Sequence, residues 1–270
     1  MSHLLEVRNL GKTFRSRKGW PWSPKSVAIE PLSFTLEAGE ILAVMGETGS
    51  GKSTLAQIIG GVATGSSGEI WLNGQKVHSK NYSQLCNNIR MIFQDSENSL
   101  NAHLTIGKQL EEPLLFNTEL SPSERRERVN VTLQRVGMLR EHWEFYPHML
   151  SSGQKQRVCI ARAIILEPQI VVADEALVAL DPSVRAQIIN LMLDLQKDMG
   201  ISYILVTHSP QIVKHIADKI LILYRGKMIA FDKTDIVLED TQQPYVQQLL
   251  HEHLKQNIQY NSDRSAKIAD

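Results

Sequence analysis

Ile41-Leu42-Ala43-Val44-Met45-Gly46-Glu47-Thr48-Gly49-Ser50-Gly51-Lys52-Ser53-Thr54 is an unbroken apolar run that opens into a glycine-punctuated loop. An apolar run of this length without polar alternation suits a strand buried on both faces of a sheet. The loop fits Gly-x-x-x-x-Gly-Lys-Ser, in which glycines let backbone amides converge on phosphate oxygens. The start of the following helix adds positive potential there. Lys52 has the reach for β- and γ-phosphates, and the Ser53 hydroxyl suits a Mg2+ ligand. Strand, loop and helix in this order predict an α/β fold built around a nucleotide-binding loop.

Downstream, Ile170-Val171-Val172-Ala173 reads as a second buried strand and ends in two carboxylates, Asp174 and Glu175. Adjacent carboxylates on their own are ordinarily solvated surface. After a buried strand, in a chain with a phosphate loop, Asp174 suits the Mg2+ shell and Glu175 the base that orients the attacking water. Between loop and carboxylates lies Leu150-Ser151-Ser152-Gly153-Gln154-Lys155-Gln156-Arg157.

Short β-branched runs alternate with helical stretches along the chain, which points to a largely parallel sheet. Strands are expected at residues 4–7, 33–36, 41–45, 69–72, 89–93, 170–173, 202–206 and 220–224, with a final hairpin strand at 227–230 after Arg225-Gly226. The early strands read as antiparallel, with hairpin-like breaks at Ala38-Gly39 and Asn73-Gly74. Residues 15–26, with Trp20, Pro21, Trp22 and Pro24, read as a loop. Between Gln94 and Gly153 the strand signal gives way to helices. Ser121-Pro122-Ser123-Glu124 supplies a cap, a first-turn proline and a capping-box glutamate. Val129, Leu133 and Val136 share one face, and Gly137 is placed to end that helix. A last helix is expected over about 244–254, followed by a frayed end. One domain at 4–245, carrying a helical insert at about 95–157, and a tail at 246–270 summarise this organisation.

The 270 residues hold 29 basic and 29 acidic side chains, a balance that disfavours non-specific binding to nucleic acid. No apolar run approaches the roughly 18 to 20 residues needed to span a bilayer, and the start of the chain lacks a secretory signal pattern. Cys86 and Cys159 have no metal-like spacing and read as structural thiols in a reducing compartment. His142 and His148 have no pairing that favours a metal, and read as structural or exposed.

Taken in order, these motifs resemble the ABC-type ATPase family, whose core is a P-loop NTPase fold with an antiparallel β subdomain and a helical subdomain insert. The resemblance covers about residues 4–250. It implies that Phe14 stacks on adenine and that Gln94 senses Mg2+ and the lytic water. It makes Leu150 to Gln154 the signature, Val178-Ala179-Leu180-Asp181 the D-loop at a dimer interface, and His208 the switch histidine at the γ-phosphate. ATP and Mg2+ are the implied cofactors. Two such ATPase domains pair head to tail, so Ser151, Ser152, Gly153 and Gln154 face the nucleotide of the other subunit.

Met91-Ile92-Phe93-Gln94-Asp95, Ser99-Leu100-Asn101, Tyr146-Pro147-His148 and Pro244-Tyr245 are similar to the oligopeptide and dipeptide importer group. That implies a second, different ATP-binding subunit, two transmembrane permease subunits and a periplasmic substrate-binding protein. The chain would then sit peripherally at the cytoplasmic face of the bacterial inner membrane. Ser152 departs from the glycine usual in the signature, and Ala176-Leu177 from the usual Pro-Thr. Other readings are an ATPase for nickel, glutathione or another small solute, or a DNA-repair or translation ATPase. The last class ordinarily carries coiled coils, zinc modules or two ATPase domains in one chain.

Overall fold

The computed structural model describes residues 3–15, 25–77, 85, 87–94, 99–178, 180–239 and 245–247. The strands are β1 (Leu5–Arg15), β2 (Lys25–Leu36), β3 (Ile41–Gly46), β4 (Ser67–Leu72), β5 (Gln75–Lys76), β6 (Ile89–Ile92), β7 (Ile170–Asp174), β8 (Ser202–Val206), β9 (Lys219–Tyr224) and β10 (Lys227–Lys233). The helices are α1 (Lys52–Ile59), α2 (Ile106–Asn117), α3 (Pro122–Arg135), α4 (Ser152–Ile164), α5 (Pro182–Met199), α6 (Pro210–Ile216) and α7 (Thr234–Glu239). The expectations at Trp20, Trp22, Cys86, Asp95 and Ala179, and those beyond residue 247, lie outside the described residues.

Two sheets carry the strands. One runs β2-β1-β4-β5 and is antiparallel; the other runs β10-β9-β3-β8-β7-β6, parallel except for the β10 edge. The central strands β3, β7 and β8 are buried at every residue, and their side chains alternate between two cores. Ile170 and Val172 face the antiparallel sheet and α1, with Leu5, Phe34 and Leu55. Val171 and Ala173 face the helical side, with Val129, Leu133, Val158 and Ile188. A third, smaller core joins Ala43 and Met45 to Ile220, Ile222, Val237 and Val246.

Two turns form as read. Asn73-Gly74 (φ 51° and 73°) and Arg225-Gly226 (φ 48° and 82°) are two-residue hairpins whose positive φ values match strand twist. Ala38-Gly39 is not a hairpin: β2 pairs with β1, while β3 lies between β8 and β9 in the other sheet. The turn there carries the chain from one sheet to the next. The 15–26 loop is shorter than expected, because β1 reaches Arg15 and β2 starts at Lys25, paired across from each other. Irregularities after Val7, Leu10 and Lys12, with Asn9 at φ 48°, break the alternation that would have revealed the full length of β1.

In the helical region Ser121 caps α3 with the full capping box, its backbone N–H donating to Glu124 Oε2 at 2.8 Å. Gly137 follows α3 at φ 71°. Arg157 on α4 donates to Val136 O at 2.6 Å, fastening the end of α3 to the helix that begins at Ser152.

Candidate functional site

The site lies at the C-terminal edges of β3, β7 and β8, where an open parallel sheet presents loops to ligands. Gly46, which ends β3 at φ 149°, leaves no room for a side chain: a Cβ would stand 2.1 Å from Leu223 O. Gly51, at φ 106°, precedes α1 and passes so close to β2 that a Cβ would stand 2.5 Å from Ala28 O. Between them Glu47, Thr48, Gly49 and Ser50 form a turn closed by Ser50 N–H to Glu47 O at 3.1 Å. Ser53 and Thr54 lie on the first turn of α1.

Lys52 is 5% exposed, and its Nζ donates to Gly46 O and Glu47 O, each at 2.8 Å. Burial holds its pKa below the usual lysine value, while the charges of Glu175, Asp174 and Glu47 pull the other way. The buried ammonium is thus held by two loop carbonyls, with the charges of three carboxylates nearby. Across from it the Ser53 hydroxyl donates to Asp174 Oδ1 at 3.0 Å. Burial raises the pKa of Asp174, the Ser53 hydrogen bond opposes this, and Glu175 adds to it. A divalent cation between Ser53 and Asp174 fits that chemistry, since it would offset the cost of the buried carboxylate.

Glu175 follows β7 at φ 48°, held there by its N–H to Val206 O at 3.0 Å. That left-handed conformation directs its side chain away from the line of the strand. Gln94 Nε2 donates to Glu175 Oε2 at 3.0 Å. Gln94 is exposed and stands two residues beyond β6, which ends at Ile92 rather than Phe93. Thr207 N–H donates to Val44 O at 3.2 Å and fixes the exit of β8, so that His208 emerges on the same edge. The chain thus gathers Lys52, Ser53, Gln94, Asp174 and Glu175 from three separate segments.

The remaining expected residues stand elsewhere. Phe14, on β1, is 48% exposed, with Lys12 Nζ 5.1 Å above its ring. Ser151 caps α4: its hydroxyl accepts from Gln154 N–H at 3.3 Å, and Gln154 Oε1 accepts from Ser151 N–H at 3.0 Å. Ser-x-x-Gln is itself a capping-box pattern, so this detail was available in the sequence. Ser152 is exposed, and Gly153 packs so close to α5 that a Cβ would stand 2.9 Å from Val184 Cγ1. Asp181 precedes α5, where Arg185 ties the turn together by donating to Leu180 O at 2.9 Å. Among the supporting residues, His142 is buried, with Leu139 N–H donating to its Nδ1 at 3.0 Å; His148 is exposed.

A phosphate loop feeding a parallel sheet, with two carboxylates and a glutamine gathered at its edge, defines an ATPase of the P-loop class. The chain matches the ABC transporter family over residues 29–178, belongs to that family, and is its ATP-binding, ATP-hydrolysing type of subunit. It is 47% identical over 250 residues to the putrescine export system ATP-binding protein SapF of Escherichia coli (strain K12), covering 93% of each chain. It is 46% identical over 250 residues to the peptide transport system ATP-binding protein SapF of Salmonella typhimurium, again covering 93% of each. The dipeptide transport ATP-binding protein DppF of Escherichia coli (strain K12) is 41% identical over 252 residues, 92% of this chain and 75% of that one. The dimeric post-hydrolysis structure of the ATP-binding cassette MJ0796 with ADP and Pi superposes at a TM-score of 0.74. It is 28% identical and covers 85% of this chain and 98% of its own. Among the described residues no helix is long and apolar enough to cross a membrane.

Proposed function

We propose that this chain hydrolyses ATP at a site built on residues 46–54 and that hydrolysis drives peptide transport through separate permease subunits. The observation that carries this reading is the convergence of Lys52, Ser53, Gln94, Asp174 and Glu175 on one sheet edge. In the proposed site Lys52 exchanges its two carbonyl acceptors for β- and γ-phosphate oxygens. Ser53, Asp174 and Gln94 would hold Mg2+, which would supply positive charge beside the phosphates. Glu175 accepts a proton from a water that Gln94 and His208 help to orient. That water adds to the γ-phosphorus, the bond to the β–γ bridging oxygen breaks, and ADP and phosphate leave. Phe14 carries the adenine on its exposed ring.

The helix start at Ser151, Ser152, Gly153 and Gln154 is an anion site offered to a partner's nucleotide, and Asp181 lies beside the seam between the two subunits. The partner is a second, different ATP-binding subunit; two permeases and a periplasmic binding protein complete the assembly, at the cytoplasmic face of the inner membrane. Residues 4–245 form the ATPase domain, with the insert at about 95–157. Peptide cargo is supported by the names of the Salmonella SapF and of DppF. A second reading, export of a polyamine, is supported by the name of the Escherichia coli K12 relative.

The test is the assembled transporter reconstituted in vesicles. Glu175→Gln is expected to lower ATP turnover at least tenfold, an effect on the order of a lost general base. Unchanged turnover would overturn the assignment. Stimulation of turnover by short peptides from the binding-protein side supports import, whereas putrescine uptake into inverted vesicles supports the second reading.

A further inference from the structure

The peptide unit joining Gly46 to Glu47 is held at both ends. Its carbonyl, Gly46 O, accepts from Lys52 Nζ at 2.8 Å. Its N–H, on Glu47, donates to the hydroxyl of Tyr245 at 3.1 Å, a contact that spans 198 residues of chain. Tyr245 is itself fixed. Its ring packs against Tyr224 with centroids 4.3 Å apart, and the Arg225 guanidinium lies 5.1 Å from the Tyr224 ring on the same hairpin. The next residue, Val246, is 2% exposed and sits in the core with Ala43 and Met45 of β3. The same hairpin reaches the far side of the loop, where Gly226 N–H donates to Ser50 O at 3.0 Å and Glu30 N–H donates to Gly226 O at 2.8 Å.

The geometry points to Tyr245 as a positioning residue for nucleotide binding, with its hydroxyl bracing the entrance of the phosphate loop. This rests on the reading of residues 46–54 as that loop. When phosphate draws the Lys52 ammonium away from Gly46 O, one of the two holds on the 46–47 peptide is released. The Tyr245 hydroxyl is then the hold that remains on it, and the hairpin turn at Gly226 keeps Ser50 in register. Without the hydroxyl, Glu47 N–H turns to water and the peptide is at liberty to rotate. Ordering the loop then becomes a cost of ATP binding instead of being met during folding. Chemistry at Glu175 is untouched, because nothing in the brace contacts the water site.

Tyr245→Phe in the full-length chain removes the oxygen and keeps the ring on Tyr224. The expected result is a Kd for ATP, measured by titration with a fluorescent ATP analogue, raised roughly three- to tenfold, as for one lost hydrogen bond. The KM of the assembled transporter should rise in parallel, with turnover at saturating ATP unchanged and the ATP-free melting temperature unmoved. An unchanged Kd beside normal binding by the wild type overturns the brace alone. A lower ATP-free melting temperature with an unchanged Kd makes Tyr245 a packing residue and overturns it equally. A wild-type chain that binds no ATP overturns the phosphate-loop reading and the brace with it.

Discussion

Ser53 Oγ and Asp174 Oδ1 are joined by a 3.0 Å hydrogen bond across 121 residues of chain, which brings the first turn of α1 to the end of β7. In the proposed site a divalent cation would take the place of this bond, with both oxygens as ligands. Asp174→Asn should therefore shift the Mg2+ dependence of ATP turnover to higher concentration. It should also lower maximal turnover by on the order of a hundredfold, as when one charge-stabilising group is removed. Turnover as a function of Mg2+ in the assembled transporter checks this; an unshifted Mg2+ curve would remove Asp174 from the metal shell.

Tyr203 offers a prediction about stability rather than catalysis. It is 1% exposed at the second residue of β8, and its hydroxyl has no hydrogen-bond partner among the described residues. Tyr203→Phe removes a buried, unsatisfied oxygen and should leave stability at neutral pH unchanged or raised by about 1 kcal/mol, a gain of about 2–4 °C in Tm. Burial pushes the phenol pKa well above its ordinary value. The folded chain therefore keeps this proton where the unfolded chain has lost it, and the wild type loses stability as pH rises above about 10. The variant lacks that loss, so its advantage should grow in alkaline melts; a lower Tm at neutral pH would contradict this account.

Both turns were legible through their glycines, and one also through Asn73, because those residue types accept positive φ, whereas nothing in Arg225 announces its φ of 48°. The buried strands were legible because they are mostly apolar. Ala38-Gly39 misled for a physical reason: a local turn signal does not say which sheet receives the next strand. The candidate site could be proposed from the sequence as motifs on strand ends, since Gly46, Asp174 and Glu175 each sit beside a run of buried residues. The hydrogen bond from Glu47 to Tyr245 was not, because two residues so far apart in sequence share no periodicity or spacing. Only folding of the third core around Val246 brings them together.

Gly107 tests the packing of the helical region. It lies in the first turn of α2 under the indole of Trp143, where a Cβ would stand 2.1 Å from the ring. Alanine has the better helix propensity by about 1 kcal/mol. The overlap forces Trp143 and its partner Arg126, whose guanidinium lies 4.9 Å from the ring, to move. Overpacking of this kind costs about 1–3 kcal/mol, so the strain outweighs the propensity. Gly107→Ala should lower the midpoint of chemical unfolding and shift tryptophan emission to the red; an unchanged midpoint would mean the indole has another place to go.

Ser152 occupies the first position of α4 and is exposed, one residue after the cap formed by Ser151. A phosphate approaching the start of that helix seeks the amides of the first turn, and a serine side chain narrows the approach that glycine would leave open. The fold has little stake in the choice, because glycine near a helix start costs only a few tenths of a kcal/mol. The effect should therefore appear in turnover and not in stability. In the proposed head-to-tail pair it appears at the partner's nucleotide, not at the one on Lys52. Glu175→Gln isolates that site by silencing the other, so the residual turnover of the assembled transporter reports on it. Adding Ser152→Gly to Glu175→Gln should raise the residual turnover several-fold, on the order of 1 kcal/mol of phosphate contact, with the melting temperature of the chain unchanged. Equal residual turnover with and without the second substitution would show that serine serves this helix start as well as glycine, and that the two ATP sites do not differ on its account.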